Sequence, residues 1–376
     1  MSSTPLVTVI IPTIQGREEY LFSALQTCIS QGSDDLEIVV SDNSDGAARA
    51  VTESFRDSRI RYIRPEQYLT MSEHWEFALN YARGELVTFI GDDDGLMPGC
   101  ITRVQQIYNR YGRKPIVHSL GNFFWPDIID SGRQRTVEMF HPVDGNVALI
   151  KSLDFHNNVA KAVKRYVDGP MIYHNFIPKG IIASIKKRGF FFRRASPDVY
   201  SSIAISSCCD EFVFINELLT LSGQCARSNG ASVRTSGRDG SKFIKENSSI
   251  FPARFPSLTI QMALLDSLLE AEWQFGVKRT CPINYNMHFL LAMKECLSLQ
   301  PHGRGIREMQ RIMAVAYQHR IAHRLVLDFS AFVTAYVIRK LFQSSTVKHL
   351  QNNRRKAALP ADIDTIDKAT HFLSNN

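Results

Sequence analysis

The 376-residue chain predicts an α/β fold: a mixed, mostly parallel sheet flanked by helices, followed by a helical C-terminal extension. Two observations carry that expectation. Through the first third of the chain, short β-branched runs alternate with amphipathic segments, as strands joined by helical crossovers do. From Phe255 onward the spacing of apolar residues is helical.

Leu6–Pro12 (LVTVIIP) is an apolar, β-branched run closed by proline, which suits a buried strand. Arg17–Gln31 then places Tyr20, Leu21, Ala24, Leu25, Cys28 and Ile29 on one helical face. Leu36–Asp42 is a second strand, Ala47–Phe55 a short helix and Arg59–Arg64 a third strand. Thr70-Met71-Ser72-Glu73 reads as a capping box opening a helix to about Arg83, and Gly84 ends it. Glu85–Gly91 is the fourth strand, with Asp92-Asp93-Asp94 directly at its carboxyl end. Pro98 suits the first turn of the next helix, and Pro115–Leu120 is a fifth strand.

From Phe123 to Ser232 the pattern is less regular, with helices expected at Lys179–Lys187 and Val199–Ser207 and a strand at Phe212–Leu221. Four helices follow, at Ser257–Phe275, Asn286–Leu299, Arg304–His319 and Ala322–Phe342. The polar, glycine-bearing segment Arg234–Asn247 reads as a linker or mobile loop. The expected organisation is therefore residues 1–232 as an α/β domain, 233–256 as a linker and 257–376 as a helical region. The tail beyond Gln343 is polar, with room for one short helix.

Composition narrows the function classes. With 44% hydrophobic and 22% charged residues the chain has material for a sizeable core, which excludes disordered and collagen-like classes. The net charge of +7 is spread over short Lys/Arg clusters, and no nucleic-acid reading module accompanies it. Seven cysteines without a C-x-x-C pair read as reduced core thiols. The first residues carry no basic segment before their strand-length apolar run, so no signal peptide is expected. No stretch reaches the roughly 18 apolar residues of a membrane span. These features point to the cytoplasm. The apolar helix around Leu325–Ile338 is expected to serve packing rather than to lie on a membrane surface.

In an open parallel sheet, ligands gather outside the carboxyl ends of the strands, which is where Asp42 and Asp92–Asp94 fall. Three adjacent carboxylates repel one another unless a cation sits among them, and Mg²⁺ or Mn²⁺ accepts oxygen ligands of this kind. A solvated acidic turn that caps the next helix accounts for the same residues. Taken together, VTVIIPT, the helix YLFSALQTCIS, LEIVVSDNSD and ALNYARGELVTFIGDDDGLMPG resemble the inverting family 2 glycosyltransferases of GT-A fold. The resemblance is strong over residues 5–115, nominally the nucleotide-sugar half, weaker over 116–232, the acceptor half, and not visible beyond.

The resemblance implies roles. Asp42 would contact the nucleotide base, Thr13 and Asp93 would border the donor, and Asp92 and Asp94 would bind the metal, Asp92 also contacting the nucleotide sugar. Many relatives carry F-L-D-x-D-D; here Gly91 stands at the first Asp of that motif. Inversion needs a carboxylate to accept the proton of the acceptor hydroxyl. The family pattern places it at Asp198, in the stretch Ser196-Pro197-Asp198. As an alternative, Asp198 is a first-turn helix residue stabilised by the dipole. Tyr173, His174, Ser228 and Asn229 are acceptor-side candidates, and Arg193 and Arg194 candidates for diphosphate oxygens; turn and core roles explain the same residues.

The implied activity is metal-dependent transfer of a sugar from a nucleotide-diphosphate donor, a UDP-sugar being favoured, to a hydroxyl of a glycan or lipid-linked acceptor in surface polysaccharide biosynthesis. It implies a site at the inner face of the membrane, with peripheral membrane contact or self-association through the C-terminal helices as further expectations. Two other classes compete. A sugar-phosphate nucleotidyltransferase would want a Gly-rich phosphate loop, and Pro12–Arg17 holds one glycine. A non-catalytic carbohydrate-binding protein would have no need of the acidic positions 42, 92, 94 and 198.

Overall fold

The computed structural model describes residues 4–139, 142–194, 196–228, 254–255, 257–300, 302–342 and 355–375. Asn229 and the polar segment Arg234–Asn247 lie outside the described residues.

The leading sheet is built from β1 (Val7–Thr13), β2 (Leu36–Asp42), β3 (Ile60–Ile63) and β4 (Leu86–Phe89), interleaved with α1 (Glu18–Ile29), α2 (Ala48–Ser54) and α3 (Met71–Leu79). These four strands are parallel and run in the spatial order β4-β1-β2-β3. Alternation along β1 sorts its side chains onto two faces. Val7, Val9 and Ile11 pack with Leu21, Leu25 and Cys28 of α1, while Ile10 packs with Trp75 and Leu79 of α3 on the other side. The capping box at α3 forms as the sequence predicts, with the Thr70 backbone N–H donating to Glu73 at 2.9 Å. The helix ends at Leu79, a turn earlier than expected.

The next elements are β5 (Gly95–Leu96), α4 (Cys100–Tyr111), β6 (Ile116–Ser119), β7 (Gly121–Phe124), β8 (Thr136–Met139), β9 (Val147–Lys151) and α5 (Ser152–Ala160). A 3-10 turn at Tyr166–Asp168 leads to β10 (Ile177–Pro178), α6 (Lys179–Lys186), α7 (Pro197–Ser206), β11 (Glu211–Leu218) and β12 (Thr220–Gln224). Strand β10 closes the leading sheet antiparallel to β4. The strand expected at Phe212–Leu221 is in fact two. β11 pairs with β6 and β9, then the chain passes through Leu219 into a different sheet, where β12 pairs with β7 and β5. That crossing lays β12 beside the acidic turn, because β5 begins one residue after Asp94.

The helical region comprises α8 (Ile260–Phe275), α9 (Tyr285–Cys296), α10 (His302–Gln318) and α11 (Ala322–Phe342). Leu264, Leu268 and Ala271 of α8 share a core with Val199 and Ile203 of α7 and Phe212 of β11. Met262 and Leu265 of α8 join helices α9 to α11 in a second core around Phe289, Met293, Ile312 and Leu325. The tail then returns to the α/β part: β13 (Arg355–Ala358) pairs antiparallel with β8, and α12 (Ile366–Asn375) packs on α1. All seven cysteines are unpaired. No helix among the described residues is long and apolar enough to cross a membrane.

Candidate active site

Strand order reverses at β1, which lies between β2 and β4, so the crevice of this sheet opens beyond the carboxyl ends of those three strands. Thr13 ends β1, Asp42 ends β2, and the Asp92–Asp94 turn follows β4. The sheet topology thus gathers the donor-side residues at one edge. A separate hollow of about 380 Å³ lined by Glu85, Arg113 and Lys179–Ile181 sits at the amino end of β4, away from them.

Asp42 is fully buried and directed into its own loop. Its Oδ1 accepts from Ser44 N at 3.0 Å, and its Oδ2 accepts from Ala48 N at 3.1 Å and from Tyr62 OH at 2.9 Å. This Asx-turn arrangement shapes the loop between β2 and α2.

The three acidic residues of the turn take different partners. Asp92 accepts the Thr13 hydroxyl at 2.7 Å and a fork from Arg17, with Nε at 2.7 and 2.8 Å from its two oxygens and Nη2 at 2.6 Å from Oδ1. Nη2 also reaches Asp93 Oδ1 at 3.1 Å, and Nη1 donates to the Arg227 carbonyl at 2.8 Å. Burial pulls against the charge on Arg17, but the Asp92 and Asp93 carboxylates outweigh it and carry the guanidinium well above its ordinary value. Asp93 Oδ2 accepts from Ser228 Oγ at 2.7 Å, and the Asp93 carbonyl accepts from Trp125 Nε1 at 3.0 Å.

Asp94 is wholly inaccessible. It accepts from the Gly91 and Gly223 backbone N–H groups, the latter at 2.7 Å, and from the Tyr173 hydroxyl. Burial, with the neighbouring Asp93 charge second, pushes its carboxyl up to about 7 against those three donors. The close fit explains Gly91. A Cβ there would lie 2.8 Å from Asp93 Oδ1 and 3.0 Å from Asp94 Oδ2, so an Asp at this position would collide with the two carboxylates that fold back over it.

His174 follows Tyr173 with φ +70°, a left-handed backbone that costs a non-glycine residue about 1 kcal/mol or more. Its backbone N–H donates to Phe89 O at 2.8 Å, its Nδ1 lies 2.8 Å from Thr220 Oγ1, and its carbonyl lies 2.9 Å from His118 Nε2. These contacts hold the unusual backbone. Burial lowers the imidazole to about 3, so the ring is neutral, with Nε2 3.4 Å from Asp94 Oδ2.

Asp198 stands in the first turn of α7 behind Pro197. Burial raises its carboxyl, opposed by the Val199 N–H and the Tyr166 hydroxyl. The Ser202 hydroxyl donates to the Tyr166 carbonyl at 2.7 Å, which ties α7 to the 3-10 turn carrying Tyr166. Tyr173 is the meeting point of the two acidic groups: its hydroxyl is raised by burial, by Asp94 and Asp93, and also by the charge of Asp198.

The structure therefore brings Thr13, Asp92, Asp93, Asp94, Tyr173, His174 and Ser228 into one network and sets Asp198 within electrostatic reach of it. Tyr173, His174 and Ser228, expected on the acceptor side, point inward and hold the acidic turn. Arg193 and Arg194, candidates for diphosphate oxygens, pair instead with α8. Arg194 contacts Asp266 at 3.0 Å and Glu270 at 2.7 Å, and Arg193 contacts Glu270 at 3.2 Å. Arg17, Trp125 and Gly223 were not singled out from the sequence. The signal in the sequence is electrostatic: three adjacent carboxylates call for a cation, and that cation is a side chain, Arg17, where a metal is expected.

The expected metal pair does not fit a shared divalent ion in this arrangement. Both oxygens of Asp92 are taken by Arg17 and Thr13, and both oxygens of Asp94 face protein donors. Among the described residues no group of three or more His, Cys, Asp or Glu side chains is arranged to hold a metal.

A mostly parallel sheet that gathers a buried Asp and an acidic turn at its switch point, with a helical C-terminal region, defines a mixed α/β protein. Residues 8–168 match the family model described as Glycosyl transferase family 2. A curated relative from Campylobacter jejuni, GalNAc(5)-diNAcBac-PP-undecaprenol beta-1,3-glucosyltransferase, is 34% identical over 122 residues. That alignment covers 31% of this chain, and the chain spans only 38% of the relative's length. Among solved structures, S. aureus TarS 1-349 in complex with UDP-GlcNAc has a TM-score of 0.45 at 12% identity, covering 83% of this chain and 72% of that one. A longer S. aureus TarS structure gives 0.44 at 12% identity, covering 86% and 53%.

Proposed function

We propose that this chain is an inverting glycosyltransferase that moves a sugar from a nucleoside-diphosphate donor to a hydroxyl of a glycan or lipid-linked acceptor. The family match supports the reaction class. The observation that carries the mechanism is the convergence of Asp198 and the acidic turn on Tyr173.

In this reading the donor lies across the carboxyl ends of β1, β2 and β4, bordered by Thr13, Asp42, Asp92 and Asp93. Asp198 is the general base. As the acceptor oxygen bonds to the anomeric carbon, Asp198 takes the hydroxyl proton and the nucleoside diphosphate leaves with the electron pair of the broken bond. A carboxyl raised by burial suits that role, because a base works best when its pKa approaches the working pH. Tyr166 is the positioning residue that holds the carboxylate. A UDP-sugar is the favoured donor. The lipid-linked oligosaccharide in the name of the Campylobacter relative favours an acceptor of the same class, used in surface polysaccharide synthesis at the cytoplasmic face of the membrane.

The test is release of nucleoside diphosphate from a panel of UDP-, GDP-, dTDP- and CMP-sugars offered with polyprenyl-diphosphate-linked acceptors, with the anomeric configuration of the product read by NMR. One donor class is expected to turn over with inversion. Asp198→Asn is expected to lower kcat by about 10²- to 10⁴-fold while nucleotide affinity is kept. Turnover undiminished in that variant would remove Asp198 from the mechanism.

A further inference from the structure

We propose that Arg17 is the resident cation of the acidic turn, so that the Asp92–Asp94 cluster takes up no divalent metal and donor binding does not depend on one. This inference rests on the glycosyltransferase reading only for its donor arm; the occupancy of the acidic turn is a property of the chain itself.

The argument starts from how completely Arg17 is engaged. Its Nε and Nη2 bind the two oxygens of Asp92, Nη2 extends to Asp93, and Nη1 is used by the Arg227 carbonyl. The planar fork matches a carboxylate in two parallel contacts, a geometry that an ammonium or a hydrated ion does not reproduce. The pair is buried, with 8% of the Arg17 side chain and 4% of the Asp92 side chain exposed. A metal entering at Asp92 would have to expel the guanidinium and leave it uncompensated in a low-dielectric interior, which is the costly way to break a buried pair.

The remaining carboxylates offer no easier entry. Asp94 is saturated by two backbone N–H groups and a phenol, and Asp93 is tied to Ser228, Arg17 and, through its backbone carbonyl, Trp125. Hard divalent ions of the Mg²⁺ type keep several waters when bound, and this cluster is closed beneath β12 and the Cys225–Ser228 turn, with Asp94 wholly inaccessible. Thr13 completes the arrangement, since its hydroxyl donates to Asp92 Oδ2 and occupies a lone pair that a metal would need. The sequence spacing also fits a fixed cation: Arg17 sits directly before α1, in the loop leaving β1, which is the strand next to β4.

Mn²⁺ titration of the full chain, followed by loss of the free-ion EPR signal, tests this without reference to sugar transfer. The wild-type chain is expected to remove no Mn²⁺ stoichiometrically, and Arg17→Gln, which frees Asp92 and Asp93, to gain one site per chain. One Mn²⁺ bound per wild-type chain would overturn the proposal, and so would a folded Arg17→Gln chain that stays blind to Mn²⁺. Should that variant fail to fold, UDP, GDP and dTDP titrations of the wild type in EDTA and in Mn²⁺ decide the matter. The Kd is expected to agree within about twofold between the two conditions, whereas a weakening of about tenfold in EDTA would refute the idea. If no nucleoside diphosphate binds in either medium, the glycosyltransferase reading is what fails, and the wild-type Mn²⁺ titration still reads the cation site.

Discussion

Gly223 is the residue on which the acidic turn closes most tightly. A Cβ added there would fall 1.8 Å from the Asp93 carbonyl oxygen and 2.8 Å from Trp125 Nε1. Backbone would have to move, and the Gly223 N–H would leave Asp94. Gly223→Ala is therefore expected to destabilise the fold by about 1–3 kcal/mol in urea titrations, the usual cost of overpacking. Gly180→Ala is the control, because nothing lies within 4 Å of its Cβ position in α6. There the change is expected to be neutral or to stabilise by about 0.5–1 kcal/mol, as alanine replaces glycine in a helix. Equal losses at both positions would refute the packing argument. At this scale the sequence showed the acidic run, because three adjacent Asp residues at a strand end stand out without any alignment. It did not show what neutralises them: Arg17 is 75 positions from Asp92, and Gly223 is 129 from Asp94.

Elements of the leading sheet were legible because local signals and tertiary fate agree. The β-branched runs are the strands, the Thr70–Glu73 capping box opens α3, and Leu36–Asp42 is β2 to the residue. Agreement weakens where short strands depend on partners far away. Strands β7, β8 and β9 and helix α5 were not expected, since each strand has only four or five residues and pairs with segments from elsewhere in the chain. The start of α8 is a case with a measurable consequence. Its Ile260 and Gln261 N–H groups donate to Glu295 of α9 at 2.7 and 3.2 Å, a cap supplied from 35 residues away. Burial pushes the Glu295 carboxyl from 4.5 up to about 7, against those two donors. The folded chain then holds a proton that the unfolded chain has lost, so stability falls as pH rises between these values and is level above them. Urea titrations at about pH 5 and about pH 8 should show that fall in the wild type and a smaller one in Glu295→Gln. An unchanged difference between the two pH values in the variant would refute the assignment.

Across the whole molecule, the least legible feature is the return of the tail. Beyond Gln343 the sequence is polar, and its apolar residues are too few to announce a docked element. Yet Leu359, Ile363, Ile366 and Ala369 join Phe123, Trp125, Val137, Leu221 and Cys225 in one core. That core lies directly behind the acidic turn. Gly95 accommodates Ile366, whose Cγ1 would be 2.9 Å from a Cβ at that position, and Trp125 holds the Asp93 carbonyl. Three large aliphatic side chains buried by the tail contribute on the order of 5 kcal/mol of gross transfer free energy. A chain ending at residue 354 is therefore expected to melt at lower temperature. The loss should also be local, because β13 is the edge partner of β8, while helices α9 to α11 pack in a separate core. Amide exchange should accelerate first in β8, where the ladder to β13 is gone, then in β7 and β12, and through Trp125 at Asp93 and Asp94. Protection in α9 and α10 should be retained. Uniform loss across all these elements would mean that the tail supports the whole fold, and unchanged exchange in β8 would mean that it supports none of it.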